Sequence, residues 1–343
     1  MKTKITVIGA GNVGSTIAFM MSVQHTADEV VIVDINQEKA LGEAMDIRQG
    51  TPLTAQPVSV YAGTYESAAG SNIVIITSGI PRKPGQTRMD LAQTNVNVIK
   101  DIAPQITKYC PDATYIIVSN PVDILTYVFH KVSNIPHERI IGSGTLLDTA
   151  RLRARLAEYL NVSEKNVHAY VFGEHGETSF IPWSIAQVST IKLLEYKDLI
   201  KLRTGILTDL DFDEIEKYMR SSGAKIIKRK GATYYAIAMS VCGICDCLFG
   251  SVNAVAAVST MLNGEYGIDD VCLSLVNIVG HKGAESKILL PLNDATRQIR
   301  REDEFSLDGD AYAVYHADFD LCAPGRTHGI IRLHCRRKAG ESA

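Results

Sequence analysis

The 343-residue chain lacks the features that would place it in a membrane, in a disulfide-held secreted fold or on nucleic acid. No apolar stretch reaches the roughly 18 uncharged residues of a membrane helix. The opening MKTKITVIGAGNVG has two lysines and a short apolar run, but the run meets glycine too early for a signal-peptide core and no cleavage site follows. These absences lead to the expectation of a cytoplasmic protein. Seven cysteines, an odd number in a large chain, fit reduced thiols better than a disulfide framework. A net charge of −3 gives no general attraction to nucleic acid or anionic lipid, so any bound anion must be held locally.

What remains is an ordinary globular composition, 46% hydrophobic and 21% charged, long enough for two domains with cores of their own. Cys242, Cys245 and Cys247 fall within six residues. A metal site needs about four ligands, and no fourth is evident, so their small apolar surroundings read as a packed helix and no metal is expected. Short β-rich runs, ITVI (5–8), VVIVD (30–34), IVIIT (73–77) and YIIVS (115–119), are separated by stretches long enough for crossover helices. That rhythm predicts βαβ units in a doubly wound parallel sheet, the α/β class. After about residue 145 longer helical patterns with scattered strands take over. The expected division is 1–145 for a nucleotide-binding domain, 146–300 for an α+β catalytic domain and 301–343 for an atypical tail.

GAGNVG sets Gly9, Gly11 and Gly14 in G-x-G-x-x-G spacing, after a strand and at the start of a helix that Val13 begins. The first glycine permits a tight turn, the second lets a pyrophosphate approach the backbone, and the helix N-terminus supplies N–H donors. Asp34 closes the next strand 20 residues after Gly14, where a carboxylate can accept from ribose hydroxyls and would repel a 2′-phosphate. The cofactor expected is therefore NAD rather than NADP. The alternative is a structural glycine turn with a strand-end aspartate capping a helix.

GTLLDTARLRARLAEYL reads as an amphipathic helix with Asp148 and Arg151 near its start, three residues apart. Spacing alone would make them a surface ion pair. In VHAYVFGEHGETSF, His175 lies between glycines after an expected strand, HAYVF, where a histidine can reach a cleft and its near-neutral titration suits proton transfer. Alone it would more often be structural. Together with a carboxylate, arginines and a nicotinamide site, it supports hydride transfer. The loop SGIPRKPGQTRMDL adds two cations, Arg82 and Arg88, on a segment rich in glycine and proline, which calls for an anionic ligand.

GAGNVG, SNPVD (119–123), GSGTLLDTARLR (142–153), GEHGET (173–178) and KGATYY (230–235) resemble the L-lactate and malate dehydrogenase family, most closely its bacterial L-lactate branch, from residue 4 to about 292. The resemblance implies a Rossmann domain followed by a catalytic domain, usually in a homotetramer, interconverting pyruvate and L-lactate in fermentative glycolysis. It makes His175 the acid/base for the substrate oxygen, oriented by Asp148. Arg151 would grip the substrate carboxylate and Arg88 would polarise the carbonyl when its loop closes. Asn120 would sit at nicotinamide and substrate, Thr233 would line the pocket, and Gly79 would join the glycines and Asp34 at the cofactor.

Arg82 departs from that pattern. It falls on the loop position facing the substrate side chain, where lactate enzymes usually carry glutamine and malate enzymes arginine. An arginine there matches the second carboxylate of oxaloacetate, whereas with pyruvate it would turn to solvent. Glu174, Thr233 and Trp183 look lactate-like. L-Lactate dehydrogenase is the expected activity, with malate dehydrogenase as the alternative. A nonenzymatic NAD-sensing module is the alternative of another class, and it would not need His175, Asp148, Arg151 and Arg88 together. Arg153 and His168 match positions that bind fructose 1,6-bisphosphate at a subunit interface in allosteric bacterial relatives; the other reading is an ordinary interface pair. The resemblance fails near residue 293, and the polar tail beyond reads as mobile or poorly packed, as a shifted reading frame would make it.

Overall fold

The computed structural model describes residues 2–80, 88–196 and 210–292, with the backbone alone at 88–90. Strands β1 (Lys4–Ile8), β2 (Glu29–Val33), β3 (Ser59–Ala62), β4 (Ile73–Ile76), β5 (Thr114–Ile117) and β6 (Ile140–Gly142) pair in parallel in the order β3-β2-β1-β4-β5-β6. This is the two-halved dinucleotide-binding topology, in which the order reverses beside β1 and opens a crevice at the strand C-termini. The expected strands agree with those observed to within a residue or two. Every residue of β4 and β5 is buried, as continuous apolar runs covered on both faces require.

Alternation along the strands sends side chains to two cores. Ile5, Val7, Ile73 and Ile75 face helices α1 (Asn12–Gln24), α2 (Gln37–Gly50) and α7 (Tyr235–Phe249). Ile8, Val74, Ile76 and Ile117 face α3 (Arg88–Tyr109) and α4 (Val122–Val132). Full burial of each such side chain contributes about 1.5–3 kcal/mol, which makes the sheet a rigid platform for the loops at its C-terminal edge. The Asn36 side chain starts α2 by accepting from the Lys39 N–H at 3.1 Å.

Beyond β6 come α5 (Leu146–Leu160), a small sheet of β7 (Val167–His168), β8 (Gln187–Val188) and β9 (Ile191–Lys192), then α6 (Phe212–Lys230) and α7. The long strands β10 (Ala254–Asn263) and β11 (Asp269–Gly280), with β12 (Gly283–Lys287), complete the described chain. They extend the main sheet: Ser259 of β10 pairs antiparallel with Gly142 of β6, giving nine strands in all. The structure thus carries one sheet across the sequence division at residue 145, and α7 packs on α1.

Two local readings are corrected. HAYVF is a strand only at its first residue; after β7 the backbone leaves the small sheet, and Phe172 and Gly173 instead bridge to Phe180 and Ser274. The Asp148–Arg151 pair, which spacing alone would put on the surface, is largely withdrawn from solvent, Asp148 buried and Arg151 partly so, because α5 turns that face toward the loop carrying His175. The cysteine-rich segment is the packed helix expected: Cys242 and Cys245 are buried in α7.

Candidate active site

At the crevice the three glycines have different duties. Gly9 has φ of 111°, and an added Cβ would lie 2.6 Å from Thr77 Oγ1; at Gly14 a Cβ would meet the Gly9 carbonyl oxygen at 1.8 Å. Both let α1 sit hard against β1. Gly11 has nothing within 4 Å of its missing Cβ, so its openness serves space outside the protein rather than packing within it. Gly11 also starts α1 with no side-chain cap, and no acidic residue lies in the first turn where Val13 stands. Uncapped N–H groups at a positive helix end fit a pyrophosphate. Asp34 accepts from Ala10 N at 2.6 Å and Asn36 N at 2.8 Å, which leaves its carboxylate further acceptor capacity for ribose hydroxyls. These residues fit a dinucleotide.

On the other side of the crevice, the first turn of α5 organises a charged cluster. Asp148 Oδ2 lies 2.5 Å from His175 Nδ1, and Asp148 Oδ1 accepts from Arg151 Nη1 at 3.0 Å. Burial opposes the imidazolium most strongly, but the hydrogen bond to Asp148 and the charges of Asp148 and Asp123 outweigh it and raise the His175 pKa above the usual value. Burial likewise opposes the Asp148 carboxylate, yet His175 and Arg151 hold its pKa below the ordinary range. The His175 side chain keeps 27% of its surface exposed, so the ring is anchored at Nδ1 and still reachable by a ligand. Such a cluster can hold a proton on an imidazole and release it to an oxygen, with an arginine fork alongside for a carboxylate.

Several residues that build this cluster were not singled out from sequence. Thr145 Oγ1 donates to Val171 O, and Thr149 Oγ1 accepts from Val171 N at 3.0 Å, so the hydroxyls flanking Asp148 pin the backbone that leads to His175. Buried Ser259 and Ser274 face each other across β10 and β11. Ser274 Oγ accepts from Thr145 N at 3.2 Å and its backbone pairs with Gly173, while Ser259 Oγ donates to Asp123. Asp123 in turn accepts from the His175 N–H at 2.8 Å. Small hydroxyls inside the otherwise apolar runs AVAAVSTMLN and VCLSLVN were the available signal. Asn95, on α3, holds Ile80 N and the Asn120 carbonyl oxygen together, tying the start of the Arg82 loop to SNPVD.

The other expected site residues are placed as follows. Gly79 and Asn120 are exposed near Asn95, at the C-terminal ends of β4 and β5. Thr233 lies on the connection between α6 and α7, and no hydrogen bond joins it to His175, Asp148 or Arg151. Gly223 of α6 does approach that cluster: a Cβ there would lie 3.8 Å from Arg151 Nη2. Trp183 donates to Glu216 Oε1 at 2.8 Å and so anchors the segment after GEHGET to α6. Arg153 donates through Nε to Ala169 O at 3.0 Å and stacks over Tyr170, next to exposed His168. Arg88 begins α3; Arg82 and the tail 301–343 lie outside the described residues.

Comparison with known proteins agrees with this geometry. Residues 3–142 match the lactate/malate dehydrogenase NAD binding domain, and residues 145–304 match the lactate/malate dehydrogenase alpha/beta C-terminal domain, past the point near 292 where the motif resemblance stops. An L-lactate dehydrogenase of Thermoanaerobacterium saccharolyticum is 44% identical over 293 residues, 85% of this chain and 93% of that one. One from Acetivibrio thermocellus is 44% identical over 299 residues, 87% and 93% of the two chains. Among solved structures, a minor L-lactate dehydrogenase of Enterococcus mundtii superposes with a TM-score of 0.84 at 36% identity, covering 91% of this chain and 98% of that one. With both halves matched and identity well above the level at which only a fold is shared, the chain belongs to the lactate/malate dehydrogenase family of NAD-dependent oxidoreductases.

Proposed function

We propose that the protein reduces pyruvate to L-lactate, and runs the reverse reaction, with His175 as the acid/base. The observation that carries the reading is the His175–Asp148–Arg151 cluster, built on the helix that follows β6 at the C-terminal edge of the dinucleotide-binding sheet. The relatives named L-lactate dehydrogenase favour pyruvate as the substrate. When bound, NADH supplies the hydride that adds to the carbonyl carbon. Arg151 holds the substrate carboxylate, and its planar fork fixes which face is presented. Protonated His175 hydrogen-bonds the carbonyl oxygen and passes its proton there as negative charge develops. Asp148 keeps Nδ1 protonated, so the proton that moves is the one on Nε2. Arg88 adds a second cation at the oxygen when its loop closes over the site, with Asn120 beside it and Thr233 on the pocket wall. A nonenzymatic NAD-sensing module would need none of these joined contacts.

Arg82 makes oxaloacetate the competing substrate, and the choice is open to a direct measurement. Steady-state kcat/KM for pyruvate and for oxaloacetate is compared in the wild type and in Arg82→Gln. Pyruvate leads in both proteins if Arg82 turns to solvent. If oxaloacetate leads in the wild type and the substitution reverses the order, Arg82 pairs with a second carboxylate and the enzyme is a malate dehydrogenase; a buried-site charge pair is worth about 1.5–3 kcal/mol, or roughly 10- to 150-fold.

The reading extends to a cytoplasmic homotetramer regulated by fructose 1,6-bisphosphate. Among the described residues no carboxylate pairs with the Arg153 guanidinium, and exposed His168 adjoins the carbonyl it binds. Two such pairs across a subunit interface would give a cationic pocket for two phosphates. Fructose 1,6-bisphosphate is expected to lower the pyruvate KM and to shift sedimentation toward the tetramer, and Arg153→Gln is expected to abolish both responses. A titration that moves neither quantity removes the effector site.

A further inference from the structure

Asp123 is a buried ionisable group that the mechanism above does not use. It stands in the first turn of α4, just after the SNP that carries Asn120, and only 2% of it is exposed. Both of its oxygens are engaged. Oδ2 accepts from the backbone N–H of His175 at 2.8 Å, and Oδ1 accepts from Ser259 Oγ at 2.5 Å. His175 is therefore held by two carboxylates, its ring by Asp148 from the start of α5 and its backbone by Asp123 from the start of α4.

We propose that Asp123 is a positioning residue that fixes the His175 backbone, supplies a second negative charge behind the imidazolium, and couples the Asn120 segment to the proton-transfer group. The inference rests on His175 being the acid/base. A buried carboxylate of this kind costs free energy to desolvate, and an uncharged acceptor would still bond the His175 N–H, though more weakly. A carboxylate adds what a neutral acceptor lacks: its field favours the charged ring. Burial first, and the nearby Glu174 charge after it, push the Asp123 pKa up to about 7, against the pull of Ser259 and His175. Its charge state thus changes near neutrality. Among the described residues, the other ionisable groups facing this pair are Asp148 and Arg151 from α5, Glu174 from the loop, and Cys272 from β11, whose thiol burial keeps protonated.

The test is the titration of the His175 ring by NMR in the full-length protein, with the resonance assigned by its loss in His175→Gln. Asp123→Asn retains an acceptor for the His175 N–H and removes the charge. The expected result is a His175 midpoint at lower pH than in the wild type, with a far-UV spectrum and NADH affinity like wild type. Asp123→Ala, which releases the backbone as well, should lower kcat/KM on the order of 100-fold, the scale of a catalytic group displaced by about 1 Å. Ser259→Ala provides a milder variant: losing its donor leaves the Asp123 carboxylate less favoured, so the midpoint falls by less than in Asp123→Asn. Unchanged midpoints in Asp123→Asn and Ser259→Ala overturn the proposal. A shifted midpoint in a protein whose wild type reduces no 2-oxo acid would leave the coupling intact and overturn the proposed activity instead.

Discussion

Replacing His175 by alanine is expected to lower kcat for pyruvate reduction by about 10²–10⁴-fold, the range for loss of a positioned acid/base. NADH binding, followed by its fluorescence, should stay near that of the wild type, because the glycine turn and Asp34 lie on β1 and β2, away from the GEHG loop. The size of the effect follows from geometry. His175 is anchored through Nδ1 to a buried carboxylate while part of its side chain stays exposed, and no other histidine among the described residues makes so close a carboxylate contact. Undiminished turnover with cofactor binding intact would remove His175 from the acid/base role.

Asp148→Asn should be nearly as damaging, and in a diagnostic way. Substituting asparagine for a carboxylate that orients a catalytic histidine lowers turnover by up to about 10⁴-fold, chiefly by allowing the wrong tautomer. The wrong tautomer arises when the asparagine NH2 faces Nδ1, which leaves its one oxygen, now uncharged, to accept from Arg151 Nη1 in place of Asp148 Oδ1. The sign of the pH effect is fixed by the cluster. Asp148 raises the His175 pKa, and reduction needs the protonated ring, so activity is present below that pKa and lost above it. Removing the charge lowers the pKa, and the alkaline limb of kcat/KM for pyruvate should move to lower pH. Lactate oxidation needs the neutral ring, so its acid limb should move the same way. Limbs that stay in place, measured in both directions, would mean that Asp148 shapes the site without tuning the proton.

The sequence disclosed the parts of this protein that depend on local chemistry. Continuous apolar strands, the glycine turn before α1 and Asp34 at the end of β2 are legible because each is specified by neighbours along the chain. The pairing of Asp148 with His175 was suggested only by resemblance, since nothing in residues 148 and 175 themselves states that α5 turns that carboxylate inward. Spacing alone favoured a surface ion pair, and burial reversed that. Asp123 escaped notice inside a quoted motif for the same reason: its partners, His175 and Ser259, are distant in sequence. HAYVF was misread because β-propensity cannot tell that the strand stops at His168 and that Phe172 and Gly173 further on bridge to separate partners. Arg82, proposed to decide between pyruvate and oxaloacetate, lies outside the described residues, and that proposal rests on the loop sequence.

The junction between β6 and β10 also bears on how the chain comes to be folded. While residues 1–145 emerge during synthesis, β6 forms the outer margin of the parallel sheet, with unpaired backbone groups along one side. Its partner, β10, arrives only when residues 254–263 have been made. The same late hairpin brings Ser259 and Ser274, so the half-made chain has an open sheet edge and also lacks the hydroxyls that Asp123 and Thr145 N bond in the folded protein. Contacts so distant along the chain form slowly, because the entropy of closing the loop must be met before they contribute. Until β10 docks, the margin of β6 offers another chain the pairing that β10 takes in the folded protein.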